Sequence, residues 1–270
     1  MSHTPLPISV HVLTWNSAQT LERCLQSVKN CAEILVIDGG STDETIAIAE
    51  SFGARVVPQR FPGMQGKPLS DFGAARNIGL QSASQPWILA LDSDEVMSDD
   101  ALQEIKKAIT QETCPGAFLV PRHYVLPDGR RVDRASTYPN ERIYFFRKDA
   151  VEQWIKPVHE RVSLKPGTVL GHLDHGSLAP LSPLSVFTSK LSQYLRIEVE
   201  ASRGKGWKEW LTQRVLRTLR SRTIASVRLG RIWILQRDGV RLPWKYEMVR
   251  FWYAWKLVVM TCPLSDRIRA

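Results

Sequence analysis

The chain has 270 residues, 43% of them apolar and 23% charged, the proportions of an ordinary globular protein with material for a sizeable core. Four scattered cysteines (Cys24, Cys31, Cys114 and Cys262), with no CxxC pair, argue against a disulfide scaffold or a structural zinc site and suit a reducing compartment. The net charge of +9 is unevenly held: residues 1–180 carry 18 Lys+Arg against 21 Asp+Glu, whereas residues 181–270 carry 18 against 6, together with six of the nine tryptophans.

Along the chain, ISVHVL (8–13) predicts a strand, short and rich in β-branched residues. The following NSAQTLERCLQSVKN predicts a helix capped by Asn16 or Ser17, with apolar spacing at Leu21, Leu25 and Val28. EILVIDGG is a second strand. Ser41 or Thr42 is then expected to cap a helix reaching Phe52, with Asp43 and Glu44 in its first turn. ARVVPQ, DFGAARNIGLQSA and WILALD continue as strand, helix and strand. This alternation predicts an α/β fold, a Rossmann-like, mostly parallel sheet with helices on both faces. Ligands of such sheets sit beyond the carboxyl ends of the strands. Thr14-Trp15-Asn16, Asp38-Gly39-Gly40 and Asp92-Ser93-Asp94 all fall at such ends and should share one crevice.

From about 115 to 175 the pattern changes to short strands and turns, expected as hairpins appended to the α/β core. LAPLSPLS (178–185) is Pro-rich punctuation, so two domains are expected: 1–180, and a basic, Trp-rich helical extension over 181–270. On one helix over 210–233, Arg214, Arg217, Arg220, Arg228 and Arg231 would share an arc of about 120°, with Leu211, Val215, Leu219 and Trp233 on the other side. Such a tail suits an anionic membrane surface, with Trp at headgroup depth; the plainer reading packs the tryptophans inward and leaves the arginines solvated. No nucleic-acid-binding module is discernible, and no nucleic acid partner is expected. The opening residues do not read as a secretory leader, and the apolar stretch 248–262 is broken by Arg250 and Lys256, so a cytoplasmic protein is expected, at most peripheral at the inner face of the plasma membrane.

WILALDSDE ends a buried strand in Asp92, Asp94 and Glu95. Carboxylates so close raise one another's pKa unless a cation lies between them. Two Asp flanking one residue supply hard oxygen donors for Mg²⁺ or Mn²⁺, a cation that keeps coordination sites for substrate phosphates. An isolated DxD can equally be a solvated turn before the helix starting near Ser98.

The blocks ISVHVLTWNSAQTLERCLQSV, EILVIDGGSTDETIAIAESFGARV and GAARNIGLQSASQPWILALDSDE, in this order over the first hundred residues, resemble the inverting glycosyltransferases of family 2, which have the A-type nucleotide-sugar-binding fold. YPNERIYFFRKDAVEQWIKPVHERV and GHLDHGS resemble its lipopolysaccharide-core glucosyltransferase branch. The resemblance implies a transferase that moves a sugar from a nucleotide-sugar, a UDP-hexose, to a glycolipid or polysaccharide acceptor. It implies that Asp94 ligates the metal on the diphosphate and that Asp92 assists, directly, through water or at the ribose. Thr14 and Asn16 would line the nucleotide pocket, and Asp38 would lie near the base. Many family members read Asp-Asp-Gly-Ser where this chain has Asp38-Gly39-Gly40-Ser41, so the usual second carboxylate is missing. Asp43 fits a helix start better than a ligand contact. Arg76 could reach the diphosphate, or be a surface arginine.

Inversion needs a base for the acceptor hydroxyl. Glu160 is the first candidate and Glu141 the second; Glu160 could also be a strand residue paired with Arg161 or Arg142. His159 could orient a substrate. His175 could complete the metal shell, or be a polar turn residue like His172 and Asp174. Two rivals remain: a sugar-nucleotide pyrophosphorylase, which would need a Gly-rich loop absent from LTWNSAQT, and a catalytically inactive transferase-fold scaffold binding membrane or nucleic acid through its basic tail.

Overall fold

A computed structural model describes residues 4–59, 71–235 and 238–264, in two compact units. The first comprises Met1–His123 and Pro139–Pro180; the second, Tyr124–Tyr138 and Leu181–Ala270.

In the first unit β1 (Leu6–Thr14), β2 (Cys31–Asp38), β3 (Arg55–Pro58) and β4 (Trp87–Asp92) lie parallel in the order β3-β2-β1-β4. Successive strand residues face opposite sides, and Ile8 through Thr14 are all buried, so both faces of β1 are covered. The cover comes from amphipathic helices: α1 (Ala18–Val28) buries Leu21, Cys24, Leu25 and Val28, and α3 (Phe72–Ser82) buries Ala75, Arg76, Gly79 and Leu80. The short α2 (Thr45–Ser51) follows β2. After the two-residue β5 (Val96–Met97), α4 (Asp99–Ile109) starts where expected: Ser98 accepts a hydrogen bond from the Ala101 amide, with Asp99 and Asp100 in the first turn and Lys106 and Lys107 in the last.

Two helix starts differ from expectation. Neither Ser17 nor Glu44, the residues preceding α1 and α2, makes a side-chain cap. Asp43 serves both helices, accepting from the Ala18 amide at 3.1 Å and from the Thr45 amide at 3.1 Å.

The strands after 115 also differ. β6 (Ala117–Val125) and β7 (Glu141–Arg147) are not appended hairpins; β7 pairs antiparallel with β4, and β6 with β7, continuing the central sheet. Aromatic packing ties the extension on: Trp87 stacks on Phe145 at 4.8 Å, and Phe118 lies 5.4 Å from Phe145. β8 (Val151–Ile155) and β9 (Arg161–Leu164) do form a separate hairpin, while β10 (Leu170–His172) joins β6 and β11 (Ser177–Pro180) joins β5.

The second unit contains α5 (Leu184–Glu200), a turn of helix α6 (Trp207–Glu209) that passes through a π-helical stretch (Trp210–Leu216) into α7 (Arg217–Ile234), and α8 (Trp244–Met260). Residues 124–138, expected in the first domain, group with these helices. Glu247, 1% exposed, binds them: it accepts from the Ser136 amide at 2.8 Å and from the Ser136 hydroxyl at 2.5 Å. The tail is therefore not one straight α-helix over 210–233, and Leu219 and Trp233, expected opposite the arginines, are themselves exposed. None of the described helices is long and apolar enough to cross a membrane.

Candidate active site

Strand register brings the acidic turns together. Thr14 is level with Asp38 across β1 and β2, and Leu13 with Asp92 across β1 and β4. A hydrogen bond of 3.0 Å from Ser93 Oγ to Ser17 Oγ joins the Asp92-Ser93-Asp94 turn to the segment after β1. Asp92 and Asp94 are both partly exposed there.

At the β2 end, Asp38 is 4% exposed, and its carboxylate accepts from Thr14 Oγ1 (2.8 Å), Ser41 Oγ (2.5 Å) and the amides of Gly40 and Ser41 (2.8 Å each). Thr14, itself buried, is thus committed to Asp38. Asn16, exposed and with φ 48°, accepts from the Thr42 amide at 2.8 Å, and its own amide donates to Ser41 Oγ at 2.8 Å. Asn is among the few residues that adopt this left-handed conformation readily. These residues tie the ends of β1 and β2 together and leave Asn16 and Trp15 exposed.

At the β4 end a buried cation takes over. Arg76 is not a surface arginine; its side chain is fully buried. It donates to the carbonyls of His11 (3.1 Å) and Leu91 (2.9 Å) and to Asp92 Oδ1 (2.6 Å), and its Nε lies 3.8 Å from Glu160 Oε1. Its guanidinium carbon lies 5.4 Å from the centre of the Tyr144 ring and 5.7 Å from that of Trp154. Burial works against the charge, but Tyr144, Asp92 and Glu160 outweigh it and hold its pKa above the ordinary value.

Glu160, expected as a strand residue beside Arg161 or Arg142, lies in the loop of the β8–β9 hairpin, and the arginine at its carboxylate is Arg76. It also accepts from the Tyr144 hydroxyl at 3.0 Å, and that hydroxyl accepts from Arg142 Nη1 at 2.8 Å. Burial, with the Asp92 charge next, pushes the Tyr144 phenol well up, so it remains a proton donor. Arg142 Nη1 is also 3.9 Å from Asp92 Oδ2. The hairpin is held by α3: Asn77 exchanges hydrogen bonds of 2.9 and 2.8 Å with the backbone of Trp154 on β8, and the Phe72 amide donates to the Pro157 carbonyl in the loop at 2.8 Å. A Cβ at Gly73 would come within 2.5 Å of the Lys156 carbonyl oxygen, so only glycine permits this approach. Lys156 and His159 in that loop have positive φ (76° and 53°).

Glu95 turns inward. It is fully buried and salt-bridged to Arg122. Burial raises its pKa, with Asp92 and Asp94 adding to the rise and Arg122 opposing it. The other candidates lie with different partners: Glu141 pairs with His172 Nε2 at 2.8 Å, while the amide and Nδ1 of His175 lie 3.0 and 3.3 Å from Glu104 Oε2 on α4. Among the described residues no group of three or more His, Cys, Asp or Glu side chains is assembled for a metal, so His175 is not gathered with Asp92 and Asp94. The donor set at the crevice is two carboxylates, one with an oxygen already on Arg76. That chemistry fits a hard cation such as Mg²⁺ or Mn²⁺, which keeps much of its shell for water and phosphate oxygens.

Tyr144, Asn77 and the burial of Arg76 are not among the features expected from the sequence. The GAARN string carried a usable signal for the last two: a small-residue helix face next to an arginine on a sheet-packing helix.

Residues 9–161 match the family model of glycosyl transferase family 2. Over 181 residues the chain is 29% identical to the lipopolysaccharide core biosynthesis glycosyltransferase LpsC of Rhizobium meliloti (strain 1021), covering 66% of this chain and 64% of that protein. A 100-residue stretch is 38% identical to an uncharacterized glycosyltransferase of Rickettsia bellii (strain RML369-C), covering 37% of this chain and 31% of that one. The chain thus spans less than two thirds of the length of these curated relatives. Among solved structures it is similar to S. aureus TarS 1-349 in complex with UDP-GlcNAc (18% identity, 85% of this chain and 73% of that one, TM-score 0.47). It is also similar to glucosyl-3-phosphoglycerate synthase from Mycobacterium tuberculosis in complex with Mn²⁺, UDP and phosphoglyceric acid (22% identity, 69% and 78%, TM-score 0.44).

Proposed function

Since the chain belongs to glycosyl transferase family 2, we propose that it is an inverting transferase that moves a hexose from a UDP-sugar to a glycolipid or polysaccharide of the cell envelope. The observation that carries this reading is the Arg76 bridge, one buried cation contacting both Asp92 at the donor-side turn and Glu160 across from it. The name of the Rhizobium meliloti relative, a lipopolysaccharide core enzyme, supports the acceptor class. The same reading puts the reaction in the cytoplasm, with the acceptor at the inner face of the plasma membrane.

Asp94, assisted by Asp92, would hold Mg²⁺ or Mn²⁺, which neutralises the charge of the diphosphate leaving group when bound. Thr14, Asn16 and Asp38 shape the nucleotide end of the crevice. Arg76 fixes Asp92 and so acts on the donor through it. As the acceptor oxygen bonds to the anomeric carbon, the bond from that carbon to the diphosphate oxygen breaks and its electron pair leaves with UDP. The acceptor proton passes to the Glu160 carboxylate, which Tyr144 and Arg76 hold in place.

Asp94→Asn tests the reading. Donor hydrolysis and sugar transfer are expected to fall by about a hundredfold or more, with an unchanged thermal melt. A panel of nucleotide-sugars with Mn²⁺, read by thermal shift, identifies the donor. Full activity of Asp94→Asn under chelation would reject the metal-diphosphate chemistry. A folded wild type with no turnover on any donor would favour the inactive scaffold.

A further inference from the structure

The second unit exposes apolar side chains in two ordered stripes. On α8, Trp244, Met248, Trp252, Trp255 and Val259 are 37–59% exposed, and at about 100° per residue they fall within an arc of about 80°. On α7, Leu219, Val227 and Ile234 are 59–71% exposed and share a second arc of about 80°. Both stripes face outward: the buried side of α7 is Ala225, Leu229 and Ile232, and that of α8 is Glu247 and Ala254. The stripes meet where Trp233 and Trp244 contact edge to face at 6.1 Å, each about half exposed.

Charge lies beside the apolar arc of α7 and not across from it. Arg217, Arg220, Arg228 and Arg231, all exposed, occupy the adjoining arc of about 80°. The helix carries five arginines and no acidic residue.

We propose that this face of α7 and α8 is a binding surface for an anionic phospholipid bilayer, with the two helices lying in the interfacial plane. An isolated amphipathic helix with arginines bordering an apolar stripe and Trp within it has the composition of an interfacial helix. A second copy of the chain is the poorer occupant, because a two-fold contact would set this arginine row against itself. Nucleic acid would satisfy the arginines and leave the Trp-Met-Val stripe in water. The purpose of the surface rests on the glycolipid acceptor proposed above; the binding itself rests on the second unit alone.

The full-length protein is co-sedimented with vesicles of phosphatidylcholine alone and of phosphatidylcholine with a quarter phosphatidylglycerol, at low and high salt. Binding to the anionic vesicles, weakened by salt, is expected. The double variant Arg220→Glu/Arg231→Glu should lower the partition coefficient by at least about thirtyfold at low salt, and Trp252→Ser/Trp255→Ser should weaken it with little added salt dependence. Both variants leave the residues of the first unit untouched, so their hydrolysis of a soluble UDP-sugar below the melt should match wild type; the arginine variant should also keep the wild-type melt, whereas Trp252, 37% exposed, should lower that of the tryptophan variant. That separates failure of the surface from failure of the chemistry. Absence of wild-type binding to anionic vesicles, or full binding by both variants, would overturn the proposal. So would concentration-dependent dimerisation that both variants abolish, or tighter binding to single-stranded DNA than to the anionic vesicles.

Discussion

Asp38 and Asp92 end two strands that flank the same neighbour, β1, yet they are handled oppositely. Asp38 is closed over by two hydroxyls and two backbone amides, all neutral donors. Asp92 faces Arg76 from below and Arg142 from the side, and 35% of its side chain is exposed. A ring of neutral donors consumes a carboxylate's acceptor capacity and turns it into architecture. A buried cation stabilises the charge without closing over the carboxylate, which stays partly exposed. Two of the three crowded carboxylates at the β4 end accordingly meet arginines: Arg76 and Arg142 at Asp92, and Arg122 at Glu95.

The largest break in this comparison should come from Arg76→Met. It strands Asp92 and Glu160 around an apolar side chain, and loss of one partner of a buried pair costs about 3–5 kcal/mol. Urea unfolding should show the midpoint falling with an unchanged slope; an unshifted midpoint would mean that the cation is not what holds the β4 end together.

Asp38→Ala should cost less, about 2–3 kcal/mol, since the donors it abandons are neutral and those near the surface can turn to water. Donor affinity should fall with it, because Asn16 is positioned through Ser41. If calorimetry found donor affinity unchanged while stability dropped, Asp38 would be purely architectural.

Reckoned per pH unit, the smallest effect is a slope beneath the same bridge. His11 is fully buried, and neither ring nitrogen has a hydrogen-bond partner among the described residues. Burial, and then the Arg76 charge, lower its pKa to about 3 from 6.5. Between those values the unfolded chain binds the proton and the fold does not, so stability falls as pH drops from about 6.5 toward 3, by at most about 1.4 kcal/mol per pH unit. Subtracting the profile of His11→Gln from that of wild type should isolate the slope. A flat difference would mean that the imidazole titrates normally in the fold.

The parallel half of the sheet could be read directly from the chain, because EILVID and WILALD carry continuous apolar runs, ISVHVL is short and rich in β-branched residues, and helical patterns alternate with all three. Strands β6 and β7 extend the sheet where appended hairpins were expected, for a physical reason. An antiparallel strand joining a sheet edge looks locally like a hairpin arm, and the Trp87, Phe118 and Phe145 contacts that place it join residues far apart in sequence. The helix caps failed similarly: Asp43 reaches the Ala18 amide across 25 residues, a bond no local capping pattern contains.

By itself, then, the sequence determined the alternating core, the acidic turns at its strand ends and the segregation of positive charge into the last third. These depend on side-chain period and composition, which are local properties. Tertiary structure alone decided the partners of each charge. Arg76 became the buried link from Asp92 to Glu160, and His175 took Glu104 as its partner, because only packed helices and register bring together groups that lie 16 to 84 positions apart.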